Sequence, residues 1–234
     1  MSSPSSHTRA WSVLNRQIIE CERCPRLRNY CRKIAAEKRR SFADWTYWGR
    51  PVPNFGDPTA RLLIIGLAPA AHGGNRTGRM FTGDRSGDWL YRALFKVGFA
   101  NQPTSVSADD GLRLIDCAIT ASAHCAPPDN KPAPRELTNC QSWLDQIVDL
   151  LNPRVIVALG QIGFRAALAQ AKQRSWFAGP LPKFGHAAIV KLRDDRQIIA
   201  SYHPSQQNTF TGKLTEVMFD RVFTLARKHL DTAS

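Results

Sequence analysis

Arg61-Leu-Leu-Ile-Ile-Gly66 decides the fold. Its apolar residues run without alternation, so a strand made from them must be covered on both faces, as in a parallel sheet flanked by helices. Three more runs share this character: Leu112 to Thr120, Val155 to Gly160 and Gln197 to Tyr202. Helical patterns separate them at Asp88 to Val97, Pro134 to Leu151 and Gln161 to Gln170, with a last helix from Leu214 to His229. Strand and helix alternate, which predicts an α/β fold: a three-layer α/β/α sandwich around a central four-stranded parallel sheet. Upstream, a first helix is expected from Trp11 to Ile34, interrupted near Cys24-Pro25. The stretch from Trp45 to Pro58, with three prolines and two glycines, reads as an ordered loop. The Ser-rich residues 1–9 read as a disordered tail, and 10–234 as one domain.

A chain of 234 residues, 43% hydrophobic, is long enough for one substantial core. Thirty-two Lys and Arg against nineteen Asp and Glu leave a net charge of +13. Such a balance calls for a polyanionic partner, nucleic acid ahead of anionic membrane surfaces and acidic proteins. No apolar run reaches the roughly 18 residues of a membrane span, and no apolar segment follows the N-terminus as in a secretory signal. The expectation is therefore a cytoplasmic monomer. In that reducing setting six cysteines read as metal ligands, catalytic thiols or buried small side chains, not disulfides.

In such sheets ligands bind beyond the carboxyl ends of the strands, so the loops that follow them hold the candidate site. Residues 66–87 (GLAPAAHGGNRTGRMFTGDRSG) carry six glycines in twenty-two residues, but neither a phosphate-binding loop nor a dinucleotide fingerprint. Asp84 is the loop's one carboxylate; Arg76, Arg79 and Arg85 are expected to keep it ionised and able to orient a water. Its ordinary structural reading is the cap of the helix starting near Asp88. Phe81 suits stacking on a planar ligand or a place in the core. Residues 121–135 (ASAHCAPPDNKPAPR) are fixed by four prolines and offer Asn130 to a base edge or a water, or to an Asx turn. His203 stands at a strand end, where imidazoles donate to developing anions. Behind it, Gln206, Gln207, Asn208 and Thr209 are uncharged groups suited to groove or phosphate contact.

Cys21-x2-Cys24 and Cys125-x14-Cys140 make two pairs about a hundred residues apart. Four thiolates suit zinc or an iron-sulfur cluster, and the spacing does not choose between them. Cys117 reads as core, and Cys31 competes with Cys24 as a ligand.

Taken together, the loops 66–87, 125–134 (CAPPDNKPAP) and 201–212 (SYHPSQQNTFTG), with Arg50-Pro-Val-Pro53 and Phe55-Gly-Asp-Pro58, resemble the family 5 (type b) uracil-DNA glycosylases of bacteria. The likeness runs from Cys21 to the last helix. It implies a 4Fe-4S cluster on Cys21, Cys24, Cys125 and Cys140. It also implies catalytic roles for Asp84, Asn130 and His203, stacking of the base on Phe81, and a pocket lined by Gly66, Ala68, Ala70 and Ala121. Gln206 to Thr209 match the loop that fills the vacated stack in double-stranded DNA. Ala121 follows Ile119-Thr120 where stricter relatives of this family carry a base-reading asparagine. The resemblance therefore implies a broader range: uracil with hypoxanthine and ethenocytosine. Ala70 replaces a common glycine and adds a methyl beside the pocket. The alternative is a nucleic-acid-binding iron-sulfur module without catalysis.

Overall fold

The structure is a computed structural model that describes residues 6–232. Four parallel strands form its centre: β2 (Leu62–Gly66), β3 (Cys117–Ala121), β4 (Val155–Leu159) and β6 (Gln197–Ser201), every residue buried. The expected four-stranded sheet is extended at both edges by short antiparallel strands, β1 (Phe55–Gly56) and β5 (Ile189–Lys191), giving the order β1-β3-β2-β4-β6-β5. Two or three residues are too short for periodicity to reveal, so the sequence suggests loop at both places.

Alternation assigns each strand residue to one of two layers. Leu62, Ile64, Ile119, Val155, Val157 and Ile199 face α4 (Arg85–Lys96) and α8 (Glu216–Thr232), packing on Tyr91, Leu94, Phe219 and Phe223. Leu63, Ile65, Ala118, Ile156, Ala158 and Ile198 face α1 (Ser6–Ile19), α5 (Pro134–Leu151) and α6 (Gly160–Gln173). The result is the α/β/α sandwich that the continuous apolar runs require. Of the tail expected over 1–9, residues 1–5 lie outside the described residues, whereas Ser6 to Arg9 are helical. They open α1, which buries Trp11, Leu14 and Ile18 at helical spacing. The predicted interruption at Cys24-Pro25 separates α1 from α2 (Pro25–Glu37), whose first residue is the proline.

Within the Gly-rich loop a single turn forms α3 (Gly74–Thr77), and α7 (Gln206–Phe210) follows β6. No described helix is long and apolar enough to cross a membrane. The loops after β2 and β3 are zipped together, since Ser122 N and Oγ donate to the Gly66 carbonyl at 2.9 and 3.1 Å and Ala123 N to that of Leu67 at 3.0 Å.

Arg79 anchors the base of the Gly-rich loop. Its buried guanidinium donates to both Asp110 carboxylate oxygens at 2.8 and 2.7 Å, to Thr82 Oγ1 at 2.8 Å and to Ser105 Oγ at 2.9 Å. These contacts and three backbone N–H groups outweigh burial and hold the Asp110 carboxyl down at about 2. A depressed carboxyl stabilises the fold above its unfolded pKa of about 3.9, and that contribution is lost as pH falls toward 2. Arg79→Met leaves Asp110 unpaired and is expected to cost about 3–5 kcal/mol in a denaturant titration at pH 7.

Candidate active site

Asp84 has the capping role its position suggests. It is the N-cap of α4, with Oδ1 accepting from Gly87 N at 3.0 Å, so the helix starts at Arg85, earlier than expected. Its other oxygen, Oδ2, lies against Gly73, where any Cβ would collide with it. Asp84 keeps some accessible surface, yet its carboxyl is densely surrounded by protein. Burial pushes its pKa up, with the Asp88 charge adding to the rise, against backbone N–H groups of Gly87 and Ser86 and the charge of Arg76.

The expected trio of arginines around this carboxylate is thereby corrected. Only Arg76 acts on it directly, from between the rings of Phe42 and Trp45 at 3.9 and 4.1 Å. Arg76 also donates to the His72 and Gly83 carbonyls at 2.8 Å each, which fixes the loop on the Asp84 side. Arg79 is spent on Asp110, and the guanidinium of Arg85 lies 4.5 Å from the Phe210 ring centre.

Phe81 has a positive φ of 52°, an uncommon conformation for an aromatic residue. That turn lays its ring over Gly66, at the carboxyl end of β2, where a Cβ would press on the ring at 3.0 Å. The ring stacks on His203, centroids 5.9 Å apart and planes 30° from parallel. His203 sits beside Gly160 at the end of β4. Burial pushes the imidazole down to about 4, so it is neutral at pH 7. Ala121 pairs with Gly66 across the sheet and is buried; Ala68 and Ala70 stay partly open on the same loop.

Asp84, Phe81, Gly66, Ala121 and His203 thus gather at the carboxyl edge, and Gly87 touches both the Asp84 carboxylate and the Phe81 carbonyl. Asn130 is not drawn into this group. It stands exposed on the single 3-10 turn Pro128–Asn130, and no hydrogen bond links its side chain to Asp84 or His203. The four polar residues after His203 divide in two. Gln206 and Gln207 are exposed, whereas Asn208 Nδ2 donates to the His203 carbonyl at 2.8 Å and Thr209 Oγ1 to that of Gln206 at 3.3 Å. Sequence reasoning missed Phe210, 66% exposed at the end of α7; an aromatic ring in an otherwise polar run was the signal.

A second pocket brings the cysteines together. Cys21, Cys24, Cys125 and Cys140 line it, with His124, Asn139 and Trp143. Cys31 is absent from the lining and points its thiol at the Ala126 carbonyl 3.6 Å away; Cys117 is buried in β3. No three of the described His, Cys, Asp or Glu side chains already stand in ligand geometry. A hydrogen bond with Cys31, then burial and the charges of Cys31 and Cys140, push the Cys125 thiol up, and burial with Cys24 and Cys21 pushes Cys140 up to about 11. Thiols that share a buried pocket ionise together only around a cation. The donor set fits a thiolate-bound metal centre, and two buried polar atoms of its lining, His124 Nε2 and Trp143 Nε1, have no partner.

Residues 53–227 match the Uracil DNA glycosylase superfamily. The chain is 51% identical over 217 residues to a Type-5 uracil-DNA glycosylase of Mycobacterium tuberculosis, covering 92% of this chain and 80% of that one. It is 48% identical to one of Thermus thermophilus, covering 90% and 94%. A Type-4 uracil-DNA glycosylase of Pyrobaculum aerophilum is 29% identical, covering 82% and 81%. With the sheet edge and its loops in place, the chain belongs to the uracil-DNA glycosylase superfamily.

Proposed function

We propose that the protein hydrolyses the bond between a damaged base and its deoxyribose in double-stranded DNA, acting as a monomer on the chromosome in the cytoplasm. Uracil is the first substrate, with hypoxanthine and ethenocytosine also accepted. The observation that carries this reading is the pairing, at one sheet edge, of a buried carboxyl (Asp84) with a neutral imidazole stacked on an aromatic ring (His203 on Phe81).

Breaking an N-glycosidic bond leaves positive charge on the sugar and negative charge on the departing base. The Asp84 carboxylate offsets the first and orients a water toward C1', whose oxygen forms the new bond. Neutral His203 donates its N–H to the base O2 and offsets the second. The base departs with the bonding electrons and takes up the proton that the attacking water gives up, and no amine of the chain joins the sugar, so the products are the free base and an abasic site. Asn130, on its exposed turn, would join these groups from the side of the bound DNA. The base must leave the stack to reach them, and Phe81 offers it a replacement partner. Cys21, Cys24, Cys125 and Cys140 would hold a 4Fe-4S cluster, which would crosslink the α1–α2 junction, the loop after β3 and α5.

Phe210 stands where a side chain would fill the gap. Phe210→Ala is expected to lower uracil release from duplex DNA about tenfold, the size of one lost base-aromatic stack. Release from single strands, which have no stack to replace, should be unchanged. Specificity is tested on duplexes carrying single uracil, hypoxanthine or ethenocytosine residues. Ala121, with no hydrogen-bonding group for the base edge, predicts cutting of all three. Cutting of uracil alone overturns the broad range.

A further inference from the structure

We infer that Trp143 and Asn139 are hydrogen-bond donors to the sulfur-rich centre held by the four cysteines, and that they set its resistance to oxidation. The inference rests on the proposed cluster and deepens it.

Both residues lie on α5 and flank the ligand Cys140, so one turn presents a thiol between two N–H donors. One bond is already made: Asn139 Nδ2 donates to Cys24 Sγ at 3.4 Å. The other donor lacks its acceptor. Trp143 is 6% exposed and lines the cysteine pocket, and its Nε1 is buried with no partner among the described residues. An indole nitrogen is a donor only, and leaving it unpaired in the interior is costly, so its place here calls for an acceptor that the apoprotein lacks. Sulfur carrying negative charge is such an acceptor.

The ring's orientation is held by a cation from the same pocket lining. The Arg23 guanidinium lies 4.3 Å from the Trp143 ring centre. Its Nη1 donates to the Asn139 carbonyl at 3.3 Å and to Ser142 Oγ at 2.5 Å. Arg23 sits inside the Cys21-x2-Cys24 turn, so the same side chain pins that turn to α5. Hydrogen bonds to cluster sulfurs withdraw electron density and raise the reduction potential, making oxidative loss harder.

The test uses the purified full-length holoprotein, with iron and sulfide content measured first. Trp143→Phe keeps the ring and deletes the N–H. The variant is expected to carry a full cluster, to show shifted Fe–S stretching bands in resonance Raman spectra, and to bleach roughly three- to tenfold faster near 400 nm under ferricyanide, the size of one lost net hydrogen bond. Asn139→Leu should act in the same direction through the second donor. Should Trp143→Phe fail to fold, deuterium exchange of the wild-type protein must still shift the same bands. Full iron content with unchanged bands and bleaching rates overturns the donor role. A wild-type protein without iron or sulfide overturns the cluster reading itself.

Discussion

Asp84→Asn is expected to lower the rate of uracil release by roughly a thousandfold, the range for losing a positioned carboxylate together with its electrostatic effect. Binding to a uracil-containing duplex should survive, because Asn keeps the Oδ1 acceptor that caps α4 through Gly87 N. Stability should rise. The folded pKa of Asp84 lies above its unfolded value, so the ionised carboxyl opposes folding, and stability falls as pH climbs through the raised pKa. At pH 7 the amide removes that penalty and Tm increases, a trade of stability against function. The same shift fixes the pH profile of the wild-type enzyme. Activity requires the carboxylate, so kcat/KM declines with acidification at a pH above the ordinary Asp range. His203, at about 4, stays neutral across that window and adds no second limb near pH 6.5.

Cys140→Ser is expected to bleach the protein and to lower Tm by roughly 10 °C. The proposed centre would tie the α1–α2 junction to the loop after β3 and to α5, closing about a hundred residues of chain. Losing a crosslink over a loop of that length costs about 3–5 kcal/mol, and each kcal/mol is about 2–4 °C for a chain of this size. Cys31→Ser is the control. Its thiol reaches the Ala126 carbonyl and the Cys125 thiol from behind the pocket lining, and serine keeps a hydrogen-bonding group there, so colour and iron content should persist.

The central strands were legible because their continuous apolarity is imposed by two covering layers, and α5 matches its expected span Pro134–Leu151. The helix α7 was not. Gln206-Gln-Asn-Thr-Phe210 has no apolar period, and Asn208 shapes it through a hydrogen bond to the His203 carbonyl that sequence spacing does not reveal. At the site, Asp84, Phe81 and His203 were readable because strand-end loops converge. The partners of the arginines were not. Arg79 meets Asp110 31 positions away, and Arg85 meets Phe210 across the site mouth. Three arginines were expected to act on Asp84, but two are engaged elsewhere, and burial raises its pKa against Arg76 alone. Nothing in the sequence singles out Trp143 within α5. Only its unpaired N–H in the cysteine pocket marks it out.

The most direct measurement is product analysis on an end-labelled duplex carrying one U·G pair, resolving free base by chromatography and strand breaks before and after hot alkali. Hydrolysis at the Asp84 and His203 edge predicts free uracil in step with breaks that appear only after alkali, and neither product from Asp84→Asn protein that still shifts the duplex on a gel. Intact lesions under the wild-type protein, breaks without alkali, or full activity in Asp84→Asn would contradict it.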